Sequence, residues 1–168
     1  MSAQSETTAE RVASIDPACP ARDESLQAWG ETSTLAWTAM HAAHRRLLKA
    51  LEHDLVTRHG IGLSAYKLLA RLVEAEEGRA RMSELADDAL LSPSRVSRLV
   101  DDLVAREHLE RRRCPDDSRV VWAAITHSGR EFLAEVHTTY VETVEREFFD
   151  RLSERDVKAL ARAFSNLV

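Results

Sequence analysis

Apolar residues recur with helical spacing from Leu26 onward. Leu26, Ser33, Trp37, Met40, His44, Leu48, Leu51 and Leu55 fall on one stripe at about 100° per residue, which predicts a long first helix stopped by Gly60 and Gly62. Ser64 then precedes Tyr66, Leu68, Leu69, Leu72 and Val73, a second helix ending near Gly78. A third, shorter helix runs from Ser83 to Ala89. A fourth opens at Ser92-Pro93 and carries Val96, Leu99, Val100 and Leu103 as far as Glu107. Serine at the N-cap with proline at the first helical position is the clearest helix start in the chain.

The period then changes from helical to extended. Leu109–Arg113 and Arg119–Ile125 are two strand-like runs around Cys114-Pro115-Asp116-Asp117-Ser118, a turn-forming cluster, so the segment predicts a β-hairpin. Thr126 begins a long helix carrying Phe132, Leu133, Val136, Tyr140, Val144, Phe148 and Phe149. Ser153-x-x-Asp156 is a capping signature ahead of a last helix with Val157, Leu160, Ala161, Phe164, Leu167 and Val168. Residues 1–25 differ: they hold Pro17 and Pro20, with Val12 and Ile15 as the only large aliphatics besides the first Met, and too little apolar surface to offset chain entropy. They read as a disordered or loosely docked tail.

Five glycines and four prolines in 168 residues are too few for a sandwich or barrel, and 44% hydrophobic residues suffice for one core. The expected fold class is mainly α with a small β-wing. No apolar run approaches the ~18 residues of a membrane span, and the first residues lack the order of a signal peptide, so a soluble cytoplasmic protein is expected, with no membrane partner. Cys19 and Cys114 form neither a disulfide framework nor a zinc motif. No metal site and no cofactor is expected.

Two short helices followed by a hairpin are the order of a winged helix-turn-helix. Ala86 sits where the two helices approach closely, Leu85 and Leu91 flank the turn, and Val96 and Leu99 point into the shared core. Leu90 stands where many such turns have glycine. Ser94, Arg95, Ser97 and Arg98 then face outward with Asp101 or Asp102. Arginine reads guanine with two hydrogen bonds, serine bonds base edges or phosphate, and the helix start at Ser92 presents backbone N–H groups to an anion. The alternative is an ordinary solvated helix face. The net charge of −5 argues against nucleic acid until its distribution is counted: residues 92–119 carry seven arginines against six acids, whereas the rest of the chain carries 16 basic and 22 acidic residues. Positive charge concentrates at Arg95, Arg98 and the Arg111-Arg112-Arg113 run.

The runs Arg81-Met82-Ser83-Glu84-Leu85-Ala86, Leu91-Ser92-Pro93-Ser94-Arg95-Val96-Ser97-Arg98-Leu99-Val100-Asp101 and Leu109-Glu110-Arg111-Arg112-Arg113-Cys114-Pro115-Asp116-Asp117-Ser118-Arg119, ending in Ile125-Thr126-x-x-Gly129-Arg130, resemble the MarR family of bacterial transcription regulators. The resemblance covers residues 26–168. It implies dimerisation helices over 26–60 and 127–168 around a winged helix-turn-helix at 63–126, with the wing at 109–126. It also implies a homodimer, more often a repressor than an activator, on a pseudo-palindromic double-stranded DNA operator. Recognition helices would enter successive major grooves, Arg112 and Arg113 would contact DNA, and Arg119 would enter the minor groove with Asp117 holding the wing or the arginine. His108, where the family has glycine, and Val120, where a small residue is common, depart from the pattern.

A dimer has support from the chain itself, because Phe148, Phe149, Leu152, Val157, Leu160, Phe164 and Leu167 exceed what one small core covers; Leu26 and Trp29 join them on the first helix. By the resemblance, a small aromatic or phenolic effector would bind between the dimerisation helices and the DNA-binding lobe. Trp37, His41, His44 and Tyr66 are the candidate lining residues, and plain packing of Trp37 and Tyr66 in the core is the default beside that role. Metal sensing through His41, His44 and His137, or oxidant sensing through Cys114 beside three arginines, are alternatives within the same fold. A winged-helix module that binds protein is the alternative outside it. No Ser-His-Asp order, H-E-x-x-H or phosphate loop suggests an enzyme.

Overall fold

In a computed structural model the structure describes residues 29–89, 91–113 and 120–167. The chain divides into two compact units, Met1–Lys49 and Ala50–Val168. The predicted tail, Leu26, Cys19, Leu90, and Cys114, Asp117 and Arg119 of the wing tip lie outside the described residues.

The first helix, α1, is Glu31–His59, and Ser33 and Thr34 donate to the carbonyl of Gly30 at its start. In the first unit its apolar side chains meet one another: Trp29 and Trp37 stack edge to face at 5.9 Å, and His41 packs on Trp37 at 4.2 Å. The predicted stripe is not buried along this half. Trp37 is 43% exposed and Met40, His41 and His44 are exposed, which corrects the expectation of a core tryptophan; Thr38 is the buried residue, its hydroxyl donating to the carbonyl of Thr34.

In the second unit the C-terminal half of α1 buries Leu51 and Leu55, and Gly60 ends it with a φ of 68° that glycine adopts without a Cβ clash. Helix α2, Leu63–Glu74, has Gly62 at its N-cap, not Ser64, and Glu52 of α1 accepts from the backbone N–H of Leu63 at 2.7 Å in place of a capping side chain. It ends four residues before Gly78, and a 3-10 turn, Glu76–Gly78, follows. Then comes a strand the hydrophobic pattern does not announce, β1, Arg79–Arg81. Three residues with one small apolar side chain between two arginines carry no period-2 signal. Helix α3, Met82–Ala89, starts one residue earlier than expected, because Glu84 reaches back to the backbone N–H of Arg81 at 2.9 Å.

Helix α4 is Pro93–Ala105, followed by β2, Leu109–Arg113, and β3, Val121–Ile125. Ser92 occupies the N-cap, but its hydroxyl faces that of Ser94 at 3.1 Å and caps no backbone N–H. Val96, Val100 and Leu103 are fully buried and Leu99 only partly so, a shift of one position from the expected core face. The helix closes in a Schellman motif: His108 N–H donates to the Leu103 carbonyl and Glu107 N–H to that of Val104, each at 2.9 Å. Glu107, with φ of 63°, holds the left-handed position, so the helix ends two residues before the predicted limit.

The sheet is antiparallel in the order β1-β3-β2, pairing Arg81 with Trp122 and Leu109 with Ile125. The last strand begins at Val121 rather than Arg119. Helix α5, His127–Glu147, is capped by Thr126. The chain bends at Phe148 and a 3-10 turn, Phe149–Arg151, so neither phenylalanine continues the helix as predicted. Helix α6, Glu154–Phe164, has the full capping box of Ser153 and Asp156.

The core lies where Leu68, Leu69 and Leu72 of α2 meet Leu85, Val96, Val100, Leu103, Ala123 and Val136, all nearly inaccessible to solvent. The α1–α5 contact in this unit is polar. Thr143, 1% exposed, donates to Asp54 at 2.7 Å, Arg146 bonds the same carboxylate oxygen at 2.7 Å, and Thr139 pairs with His59 at 2.8 Å. The Arg146 hydrogen bond, then that of Thr143, holds the Asp54 pKa below its ordinary value. Among the described residues no helix is long and apolar enough to cross a membrane.

Candidate nucleic-acid interface and ligand cavity

With Val96, Val100 and Leu103 turned inward, the opposite side of α4 follows from a period of 3.6. Ser92, Ser94, Arg95 and Arg98 are exposed there and Ser97 is half-buried. Arg98 Nε donates to the Ser94 carbonyl at 3.4 Å, drawing its side chain back along the helix. Beside this face run the exposed side chains of Arg111, Arg112 and Arg113 on β2. Arg111 binds Asp101 of α4 at 2.8 Å, and also the hydroxyl and carbonyl of Ser97 at 3.0 and 3.2 Å. One guanidinium therefore joins wing strand and helix, a role the sequence reading did not give it. Arg112 pairs with Glu110.

At the wing's base, His108 stacks flat on Phe132 of α5, centroids 4.1 Å apart. Burial there, and then the charge of Arg106, lower its pKa. His108 thus has a packing partner on α5, while the left-handed backbone falls on Glu107.

The ligand candidates fall into separate places. Trp37, His41 and His44 lie on the N-terminal half of α1, in the first unit. Tyr66 lies in the second unit, buried, with its hydroxyl 2.8 Å from His137 Nδ1 and its ring stacked on Tyr140 at 4.6 Å. Loss of solvent, then Tyr140 and Glu74, push its pKa up to about 12. An open cavity of about 390 Å³ between α2 and α5 is lined by Tyr66, Val73, Glu74, Arg130, Leu133 and His137, among others. The sequence offers no ligand signal at Arg130 or Leu133 and offers His137 only as a metal ligand with His41 and His44, because only packing brings a residue near 66 to one near 137. Among the described residues no group of three His, Cys, Asp or Glu side chains is placed to hold a metal ion.

The residues offered as interface stay uncovered. Helix α6 buries none of its side chains, Phe149 and Phe164 are exposed, Leu152, Val157 and Leu160 are half-buried, and Leu167 is 76% exposed. Trp29, in the first unit, is exposed as well.

Two helices joined by a short turn, α3 and α4, with a hairpin and a third strand beside them, make this a winged helix-turn-helix protein. A sequence profile described as MarR family matches residues 59–120. AbsC, a MarR family transcriptional regulator from Streptomyces coelicolor, superposes with a TM-score of 0.71 at 31% identity over 83% of this chain and 93% of AbsC. Sco3205, a MarR family transcriptional regulator from the same organism solved in complex with DNA, gives 0.71 and 31% over 83% of this chain and 88% of its own. The HTH-type transcriptional regulator MhqR of Bacillus subtilis (strain 168) is 27% identical over 103 residues, 61% of this chain and 69% of MhqR. The chain belongs to the MarR family, a family of transcriptional regulators and not of enzymes.

Proposed function

We propose that this protein is a cytoplasmic, sequence-specific DNA-binding regulator that represses transcription as a homodimer and leaves its operator when a small aromatic effector binds. The observation that carries the DNA reading is the exposed face of α4 formed by Ser94, Arg95 and Arg98, with the arginine-bearing strand β2 fixed beside it by Arg111. The solved DNA complex of Sco3205 supports the same use of the fold. Arg95 and Arg98 read bases, Ser92, Ser94 and Ser97 bond bases or phosphate, and Arg112 and Arg113 hold the backbone. By the family resemblance Arg119 enters the minor groove and Asp117 holds the wing or the arginine. The uncovered apolar side of α6 supports the dimer, and the cavity beside Tyr66 supports an effector that is aromatic and carries a polar group.

The test is an anisotropy titration on duplex DNA flanking the protein's own gene, at two salt concentrations, with and without salicylate. Saturable binding that weakens steeply with salt and is released by salicylate is the expected result. Arg98→Ala should cost about 1–3 kcal/mol on the operator and much less on unrelated DNA. A flat titration, with capture of a protein partner that nuclease does not disturb, would replace this reading with a protein-binding winged helix.

A further inference from the structure

We propose that Arg106 and His108 are positioning residues for DNA binding: together they tie the end of α4 to α1 and α5, so that the two copies of α4 in a dimer meet the operator at a fixed separation. The inference rests on the DNA-binding homodimer proposed above and names residues that act through α4 rather than on DNA. Arg106 is the C-cap of α4, and its guanidinium reaches the end of α1, donating to the Gly60 carbonyl at 3.0 Å. Gly60 stops α1, so its carbonyl has no partner within that helix. A Cβ at Gly60 would come within 3.3 Å of the same guanidinium, so the arginine lies against bare backbone.

Two residues on, His108 lies flat on Phe132 of α5, the ring planes 5° apart. His59 of α1 meets the same Phe132 ring edge to face at 6.1 Å and is itself paired with Thr139 of α5. Phe132 thus touches both the residue that ends α1 and one that follows α4. The backbone is fixed here too, because the N–H and the hydroxyl of Thr126 each donate to the His108 carbonyl at 3.1 Å. Loss of solvent, then the Arg106 charge, hold the imidazole pKa down, so the ring that stacks is neutral near pH 7. These contacts differ in kind from the core. Val96, Val100 and Leu103 bury α4 through non-directional apolar contact, which sets its depth more sharply than its angle. A hydrogen bond to one carbonyl and a flat ring stack have preferred geometries, and both act at the end of the helix. A rotation of α4 about its packed side disturbs one or the other. Because α1 and α5 are assigned to the dimer, the angle of α4 against them sets the distance between two recognition helices. A dimer whose α4 helices swing still grips one half-site but is seldom spaced for two.

The test measures binding of wild type, Arg106→Ala, His108→Ala and His108→Phe to the operator duplex and to a duplex of equal length with one half-site scrambled. If α4 in His108→Ala holds the operator-competent angle about a tenth of the time, operator affinity falls about tenfold. Affinity for the scrambled duplex should change less than about twofold, since one helix can dock without regard to its partner. Arg106→Ala should show the same excess loss on the operator. His108→Phe, which keeps a flat ring on Phe132, should restore operator affinity. Equal losses on the two duplexes in the alanine variants would mark a merely structural role and overturn the assignment. Wild-type operator affinity in both alanine variants, or failure of phenylalanine to rescue, would overturn it too. If wild type binds neither duplex, the DNA reading itself falls; if it binds the two equally, no second half-site is read and the assignment falls with the dimer.

Discussion

The hydroxyl of Thr126 donates to the carbonyl of Glu107 at 2.8 Å and accepts from the N–H of Gly129 at 2.9 Å. A single side chain thereby closes the base of the wing and caps α5. Gly129 is required there, since a Cβ would run into the backbone carbonyl of His108 and the Ile125 side chain. Gly129→Ala should cost about 1–3 kcal/mol by overpacking, and Thr126→Val about 1–2 kcal/mol through loss of the cap. Urea unfolding midpoints check both, and wild-type stability in either variant would show that the junction yields freely.

Glu107 occupies a left-handed backbone position that favours glycine. Its contribution to the junction is a backbone carbonyl, which substitution preserves. Glu107→Gly should therefore stabilise the protein by about 0.5–1 kcal/mol and raise the melting temperature by about 1–4 °C. Calorimetry reads the sign directly.

Asp54 links α1 to α5 through Thr143 and Arg146, and their hydrogen bonds, that of Arg146 first, hold its carboxyl below the usual carboxylate range. The unfolded chain binds the proton more readily, so this stability is fully present above the unfolded pKa and is lost as pH falls through the folded one. Asp54→Asn should lower the urea midpoint at neutral pH and make the decline below about pH 4 shallower than in wild type. Parallel pH curves would show that Asp54 contributes nothing to acid unfolding.

Phe164 is exposed on α6 in the single chain. In the homodimer proposed above, Phe164→Asp should halve the mass seen by light scattering while leaving helical circular dichroism nearly intact, because the side chain is not part of the single-chain core. A dimer of unchanged mass would remove α6 from the interface.

The sequence by itself determined the order of the helices and of the two hairpin strands, and the exposed face of α4. Pro93, the Leu and Val spacing, and the turn cluster after Arg113 act over a few residues, and helix and strand periods convert that spacing into faces. The charge count located the basic face for the same reason, since α4 and β2 are adjacent in the chain. Where the reading departed from the structure, the controlling contact was distant or lay in the backbone. β1 exists because Arg79–Arg81 finds β3, some forty residues on. The helix after Gly62 is capped by Glu52 from α1 rather than by its own serine. The left-handed backbone after α4 falls on Glu107, where the residue type gives no signal for it. Only tertiary structure decided that Arg111 joins wing to helix, that Tyr66 meets His137, and that Arg81 lies over Trp122. Each depends on which side chains packing brings together, and no local period encodes that.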